Sequence, residues 1–245
     1  VNRADRRSVA FQDGDYDAEM TATDTWRPMA FGLQEPKRIR DPLCEPLWSG
    51  RRVLAEIGPG RVTLRDQDGV VLDGYEGLRS ALIAAAYATD LIVDGYLLPA
   101  PIRDTVGAEA PLGMETTPTA SQVGRQMLLG GGGTNKRREQ RELAAAREVD
   151  LPPDGPTAMV AVDLLWLDGE PLVDVPLLER KRLLDAVLVE HELVRRTVLV
   201  RPPVEAWYAQ WRALGFREYA VKAANSRYQP GRASEHWTTA AIPKR

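Results

Sequence analysis

The sequence contains a single cysteine, Cys44, among 245 residues. One thiol forms no intrachain disulfide and no cysteine metal cluster, and it fits a reducing compartment. Histidine is nearly as scarce, with only His191 and His236. They stand far apart with no cysteine or acidic cluster at ligand spacing, so neither a metal site nor a Ser/His/Asp triad is expected. His191, in "VLVEHELV", is expected on a helix surface. No apolar run approaches the roughly 20 residues that a membrane span needs. The N-terminal stretch "VNRADRRSVAFQDGDYDAEM" has no apolar signal core. These absences predict a cytoplasmic protein with no membrane partner. The net charge of -3 supplies no global basic field, so any attraction for nucleic acid must be local.

What is present is ordinary for a soluble globular chain: 44% hydrophobic and 27% charged residues. The length is ample for a buried core. From Leu43 to Leu72 apolar residues alternate, interrupted by "GPG" and "DQDG", which predicts antiparallel strands with tight turns. "EGLRSALIAAAYA" (76–88), "PLLERKRLLDAVL" (176–188) and "VEAWYAQWRALGF" (204–216) have helical spacing. Trp207, Tyr208 and Trp211 on the last of these are expected to pack in the core, the alternative being a partner-binding patch. "DLIVDGYLLPA", "MVAVDLLWLDG", "RTVLVRPP" and "REYAVKAANSRY" read as strands. Helices and strands mix without a regular βαβ repeat, so the expected class is α+β.

Residues 1–25 are polar and weakly patterned and read as a mobile tail. A partly flexible insertion is expected at about 101–156, where four consecutive glycines precede the basic stretch "TNKRREQRELAAAREV". That stretch reads as a solvated surface helix, or as an arm for DNA phosphates through Lys136, Arg137, Arg138 and Arg141.

Five segments, in order, resemble the adenylation domain of ATP-dependent DNA ligases, in particular the ligase module of bacterial end-joining enzymes. They are "WRPMAF", "EPLWSGRRVLA", "LIVDGYLLP", "AVDLLWLDGEPLVDVPLLERKRLL" and "GFREYAVKAANSRYQPGRASEHW". The resemblance runs from about residue 26 to 241, so one adenylation domain over 26–245 is expected. It implies the nucleotidyltransferase fold shared by DNA ligases and mRNA-capping enzymes, with antiparallel sheets flanked by helices. No OB-fold domain is expected after Trp237.

Enzymes of that family use a lysine to take AMP from ATP, with Mg²⁺ held against the phosphates. The chemistry needs a deprotonated amine close to phosphorus, carboxylates for the metal and cations for the leaving group. By resemblance, Glu45, Trp48, Arg52, Val162 and Lys222 line the nucleotide pocket. The nucleophile position holds Leu47, which has no lone pair. Ser49 stands for an aspartate, Tyr96 and Arg217 for glutamates, Val162 for an aromatic adenine platform, and Thr239 and Ala241 for lysines. Turn glycines and core aliphatics remain while the reactive groups are replaced. The expectation is an inactive ligase-like domain, a pseudoenzyme with a binding or assembly role in DNA repair, with no catalytic residue, metal or cofactor. An active nucleotidyltransferase with a non-standard nucleophile and a folded relic are the alternatives. DNA, through Arg51, Arg227 and Arg232, and a DNA-repair protein are the expected partners.

Overall fold

The computed structural model describes residues 25–100 and 155–244. The expected tail up to residue 24, and the expected insertion over 101–154 with its basic stretch, lie outside the described residues. Two sheets organise the rest. The larger runs in the order β4 (Arg61–Asp66), β3 (Arg51–Gly58), β5 (Leu91–Pro99), β6 (Thr157–Leu167), β7 (Glu170–Pro171), with β8 (Val194–Arg196) added parallel on β6. The smaller is antiparallel and joins β2 (Pro42–Pro46), β9 (Glu218–Ala223) and β11 (Trp237–Ala241), with β9 central. A short parallel pair, β1 (Ala30–Phe31) and β10 (Ala233–Ser234), ties the beginning of the described chain to its end.

The mixed architecture follows the alternation in the sequence. On β3 and β5, Val53, Ala55, Val93 and Leu97 turn to one side and join a core with Leu78, Ala81, Leu82 and Ala85. Those four residues form the buried stripe of helix α1 (Glu76–Ala85) at helical spacing. Residues of the opposite parity, Leu54 and Ile92, turn to the other side and pack with Leu43 and Trp237 of the smaller sheet. Helix α2 (Leu177–Val187) also reaches this second core, through Leu177. Helix α3 (Glu205–Ala213) packs Trp211 into a third cluster with Val162, Phe216 and Tyr219, while Trp207 and Tyr208 are half-buried against it. Core packing is thus the role of Trp211.

Three local expectations need correction. "RTVLVRPP" does not form a strand of its own; β8 ends at its first residue, Arg196, and Val200 makes an isolated bridge to Cys44. Pro202 and Pro203 lack the N–H that would carry the ladder on. His191 lies beyond the end of α2 in a tight turn whose backbone pairs with Val194. The helix stops because Leu188 turns extended and bridges Ala86. The strand in "REYAVKAANSRY" ends at Ala223, whose carbonyl accepts both the Ser226 N–H and its hydroxyl. The chain then returns as β11, made from "WTTAA", a stretch with little apolar periodicity of its own. Among the described residues no helix is long and apolar enough to cross a membrane.

Gly95 sits where β5 crosses β6, at a register shift. A Cβ there would collide with the Met159 side chain and the Val160 carbonyl. Gly95→Ala is expected to cost about 2–4 kcal/mol by prising the two central strands apart. Urea denaturation followed by tryptophan fluorescence measures the loss.

Candidate functional site

Strand register decides which residues share a face. Leu43 pairs with Lys222 and Glu45 with Ala220. Across the other edge of β9, Trp237 pairs with Lys222, Thr239 with Ala220 and Ala241 with Glu218. Directly paired residues project to the same side. One face of the smaller sheet therefore carries Glu45, Lys222, Glu218, Thr239 and Ala241 together. Leu47 follows Glu45 by two residues, just past the strand end, where its N–H donates to the Glu218 carbonyl at 3.1 Å. Spacing alone puts Arg217 at the position of the family's glutamate. In the structure Arg217 is exposed and precedes the strand, and Glu218 has the parity of Lys222. The acidic residue that β9 itself places on the site face is Glu218, one position beyond the one that spacing gives.

Opposite this face the larger sheet offers Arg52, Asp94 and Asp163. Arg52 clasps Asp94 through two hydrogen bonds, of 3.0 and 2.7 Å, and donates a third to the Met29 carbonyl. Tyr228 donates its hydroxyl proton to the same Asp94 at 2.7 Å and accepts the Met29 N–H. Burial and the Asp94 charge push the Tyr228 phenol well above its usual range. Arg180 of α2 clasps Asp163 in the same forked way, at 2.9 and 2.7 Å, with both side chains fully buried. Fork-to-fork pairing fixes orientation as well as charge.

Between these two clasps lies a group that spacing did not reveal. The Lys181 ammonium donates to Glu45 Oε2 at 2.8 Å, and the Lys222 ammonium is ion-paired with Glu45 Oε1. All three side chains are buried. Lys222 also lies over the Trp237 ring, 4.2 Å from its centre. Burial works to raise the Glu45 carboxyl, but Lys181 and Lys222 outweigh it and hold the group below its usual value. Burial is also the largest influence on Lys181, and with Lys222 close by it lowers the Lys181 ammonium despite the pull of Glu45 and Asp163. The signal for Lys181 was available in "PLLERKRLL": the buried stripe of α2 is Leu177, Arg180, Lys181 and Leu184, so two cations occupy core positions. Cations are rarely buried unless paired, and that pattern could have pointed to partners elsewhere in the chain.

The remaining candidates divide. Leu47, Ser49, Trp48 and Val162 are buried, and Tyr96 is half-buried beneath the Arg52 guanidinium. The sequence predicts that Leu47, Val162 and Tyr96 converge around an apolar, filled space. Val162 and Tyr96 do share one apolar cluster with Trp48, whose indole N–H donates to the Thr197 hydroxyl. Leu47 is buried at the strand end beside Glu218. Thr239 is half-buried and Ala241 exposed. Arg51 is committed to Asp66 at 2.8 Å, Arg227 pairs with Asp174 at the surface, and Arg232 is exposed. A cavity of about 490 Å³ opens elsewhere, lined by the start of α1, Gly155–Thr157 and Leu193, and includes none of these groups. Among the described residues no group of three or more His, Cys, Asp or Glu side chains gathers as a metal site.

Residues 124–239 match the family model described as the ATP-dependent DNA ligase domain. A DNA ligase of Methanoculleus marisnigri is 34% identical over 218 residues, covering 83% of this chain and 37% of that protein. The chain belongs with the adenylation domains of ATP-dependent DNA ligases. A probable DNA ligase of Nocardia farcinica is 35% identical over 109 residues, covering 38% of this chain and 20% of that protein. This adenylation domain therefore spans well under half the length of these relatives. In fold it resembles the ligase domain of M. tuberculosis LigD, with a TM-score of 0.57 at 22% identity, over 89% of this chain and 60% of that one. A mycobacterial DNA ligase D solved with ATP gives a TM-score of 0.57 at 21% identity, over 88% and 60%.

Glu45 is the anion that offsets two buried cations. Glu45→Gln keeps the shape and removes the charge, and is expected to cost about 3–5 kcal/mol near neutral pH. In the wild type the Glu45 contribution is present at neutral pH and lost as pH falls through its depressed folded value. In the variant Lys181 loses its counter-charge and its proton affinity falls further. The unfolded chain then binds more protons than the folded one up to the usual lysine range, so stability rises with pH through that window. Urea denaturation of both proteins at neutral and alkaline pH should show the deficit shrinking as pH rises.

Proposed function

We propose that this adenylation domain does not perform ligase self-adenylylation and serves as a DNA-binding or assembly module in DNA repair. The observation that carries the reading is the residue two places after Glu45. The position of the attacking amine is Leu47, an aliphatic side chain buried at the strand end. The lysine retained from the family motif, Lys222, is committed to Glu45 and the Trp237 ring. Ser49, Tyr96, Thr239 and Ala241 offer no metal carboxylate and no second cation for a leaving group. A specific observation favours a second reading, an active enzyme with a different nucleophile: the Lys181 amine stands against Glu45 with its proton affinity lowered by burial and by Lys222.

Radiolabelled ATP with Mg²⁺, followed by a denaturing gel, separates the two. The proposal expects no covalent AMP on the wild type. A labelled band mapping to Lys181 would replace it with the second reading. Leu47→Lys is expected to stay unlabelled as well, since a third cation beside Lys181 and Lys222 adds charge to a buried site without supplying a metal ligand. Groups that act as one catalytic unit are strongly non-additive. AMP transfer by that single variant would mean the pocket is intact.

DNA contact on this reading is sequence-blind and made by surface cations. Arg232 is exposed and Arg227 is held only by an exposed pair, whereas Arg51 is tied inside to Asp66. Fluorescence anisotropy with a nicked duplex lacking a 5′-phosphate should show weak, saturable binding that falls steeply with salt. Arg227→Ala with Arg232→Ala should weaken it further, and Arg51→Ala should change it little. Absence of binding at low salt would remove DNA as the ligand.

A further inference from the structure

The smaller sheet has two outer edges, and they differ. In an antiparallel ladder alternate residues turn their N–H and C=O groups toward one side and then the other. On β2 the residues turned away from β9 are Pro42, Cys44 and Pro46, since the Leu47 N–H donates to Glu218 and the Ala224 N–H to Asp41. The two prolines have no N–H to offer. Cys44 exchanges both of its groups with Val200, at 2.8 Å each. That edge is closed.

The edge at β11 is open. The Ala223 N–H donates to the His236 carbonyl and the Ile242 N–H to the Arg217 carbonyl. The even-numbered residues from 236 to 242 therefore bond to β9, and Trp237, Thr239 and Ala241 turn their groups outward. The Trp237 carbonyl accepts the Gly32 N–H at 2.7 Å. Among the described residues, nothing meets the outward N–H and C=O groups of Thr239 and Ala241. Thr239 is half-buried and Ala241 exposed. Sheet edges are normally guarded by charged side chains, proline or a covering segment. "WTTAAI" (237–242) has no charged residue and no proline.

We propose that this edge binds a second copy of the chain, β11 against β11, antiparallel across a two-fold axis at Ala240. The open groups are symmetric about Ala240, as a self-complementary contact requires. In that register Thr239 stands opposite the partner's Ala241, and each exchanges N–H and C=O with the other. One step outward, Trp237 faces the partner's Pro243. The Trp237 carbonyl is already taken and proline has no N–H, so the ladder ends there. The Pro243 carbonyl accepts Arg212 at 2.6 Å and has a second lone pair for the Trp237 N–H. The side chains brought together are Thr239 with Ala241 on one face and Ala240 with its own copy on the other. All are small and uncharged, so no like charges are opposed. The pairing joins two three-stranded sheets into one, with both Glu45 faces on the same side. Two short strands bury less than a permanent dimer needs, so the association is reversible and concentration-dependent.

Sedimentation equilibrium of the purified chain over a wide concentration range reads the association directly, and a monomer–dimer equilibrium is expected. Ala241→Pro removes an outward N–H and no bond to β9. It should weaken dimerisation by about tenfold or more. Ala240→Cys tests the register. Directly opposed residues of a non-hydrogen-bonded pair bring their Cα atoms to about 4.5 Å, within disulfide reach. Oxidation by copper–phenanthroline in air should trap a covalent dimer of Ala240→Cys. It should not trap the wild type, whose Cys44 is buried, nor Thr239→Cys, whose two copies lie out of register. Circular dichroism confirms that the variants are folded, and the cross-link decides the matter if Ala241→Pro is not. A chain that stays monomeric overturns the proposal and leaves the edge to an extended strand of another protein. Undiminished dimerisation by folded Ala241→Pro, or equal cross-linking of Thr239→Cys and Ala240→Cys, overturns it as well. None of these measurements involves nucleotide or DNA, so the proposal stands or falls apart from the reading of the site as inactive.

Discussion

The arrangement rests on ionised groups placed between two sheets. Taking a carboxylate and a guanidinium out of water costs several kcal/mol each, and the cost is offset only by close geometry and full hydrogen bonding. Asp94 and Asp163 meet both conditions. Arg52 reaches from Asp94 to the Met29 carbonyl, and Tyr228 closes the remaining acceptor. Arg180 reaches from Asp163 to the carbonyls of Val175 and Ser226. Each clasp therefore joins a strand of the larger sheet to a segment far away in sequence. They are as much fasteners to the segments around Met29, Ser226 and Tyr228 as local ion pairs.

Around those fasteners the apolar packing is conventional. Trp237, fully buried, lies edge-on to Tyr228 and donates its indole N–H to the Ser226 hydroxyl at 2.9 Å. Trp166 donates to Asp90 at 2.7 Å while its ring joins the inter-sheet core. Large aromatic rings thus contribute buried area and satisfy a polar atom at the same time. The residues of the family motifs that survive include glycines at close crossings and rings in the core. The positions that changed, Leu47, Tyr96, Val162, Thr239 and Ala241, place no new charge inside. The clasps at Asp94 and Asp163 remain.

Glu45 differs from the other two carboxylates in having two lysines and no fork. An ammonium is a compact charge on a flexible stem, with a proton affinity that burial can move, whereas a guanidinium stays charged. Two cations against one carboxylate leave burial and Lys222 lowering the Lys181 ammonium despite the pull of Glu45 and Asp163. It lies on the same face as Glu218 and Thr239, next to the strand end at Leu47.

The sequence by itself determined the fold class, most element positions and the family. Apolar periodicity marks α1, α2, β5 and β6, and the ordered motifs carry the resemblance without reference to three dimensions. It also showed that position 47 has no amine. Local pattern could not supply β11, because "WTTAA" has no strong periodicity and becomes a strand by pairing with β9. Nor could it choose between Arg217 and Glu218, since a one-residue shift in register exchanges the two faces of a strand. The meeting of Lys181 with Glu45, 136 residues apart, was decided only by tertiary structure. A cation on a buried helix stripe announces that it needs a partner, but which carboxylate reaches it depends on how α2 settles against the smaller sheet.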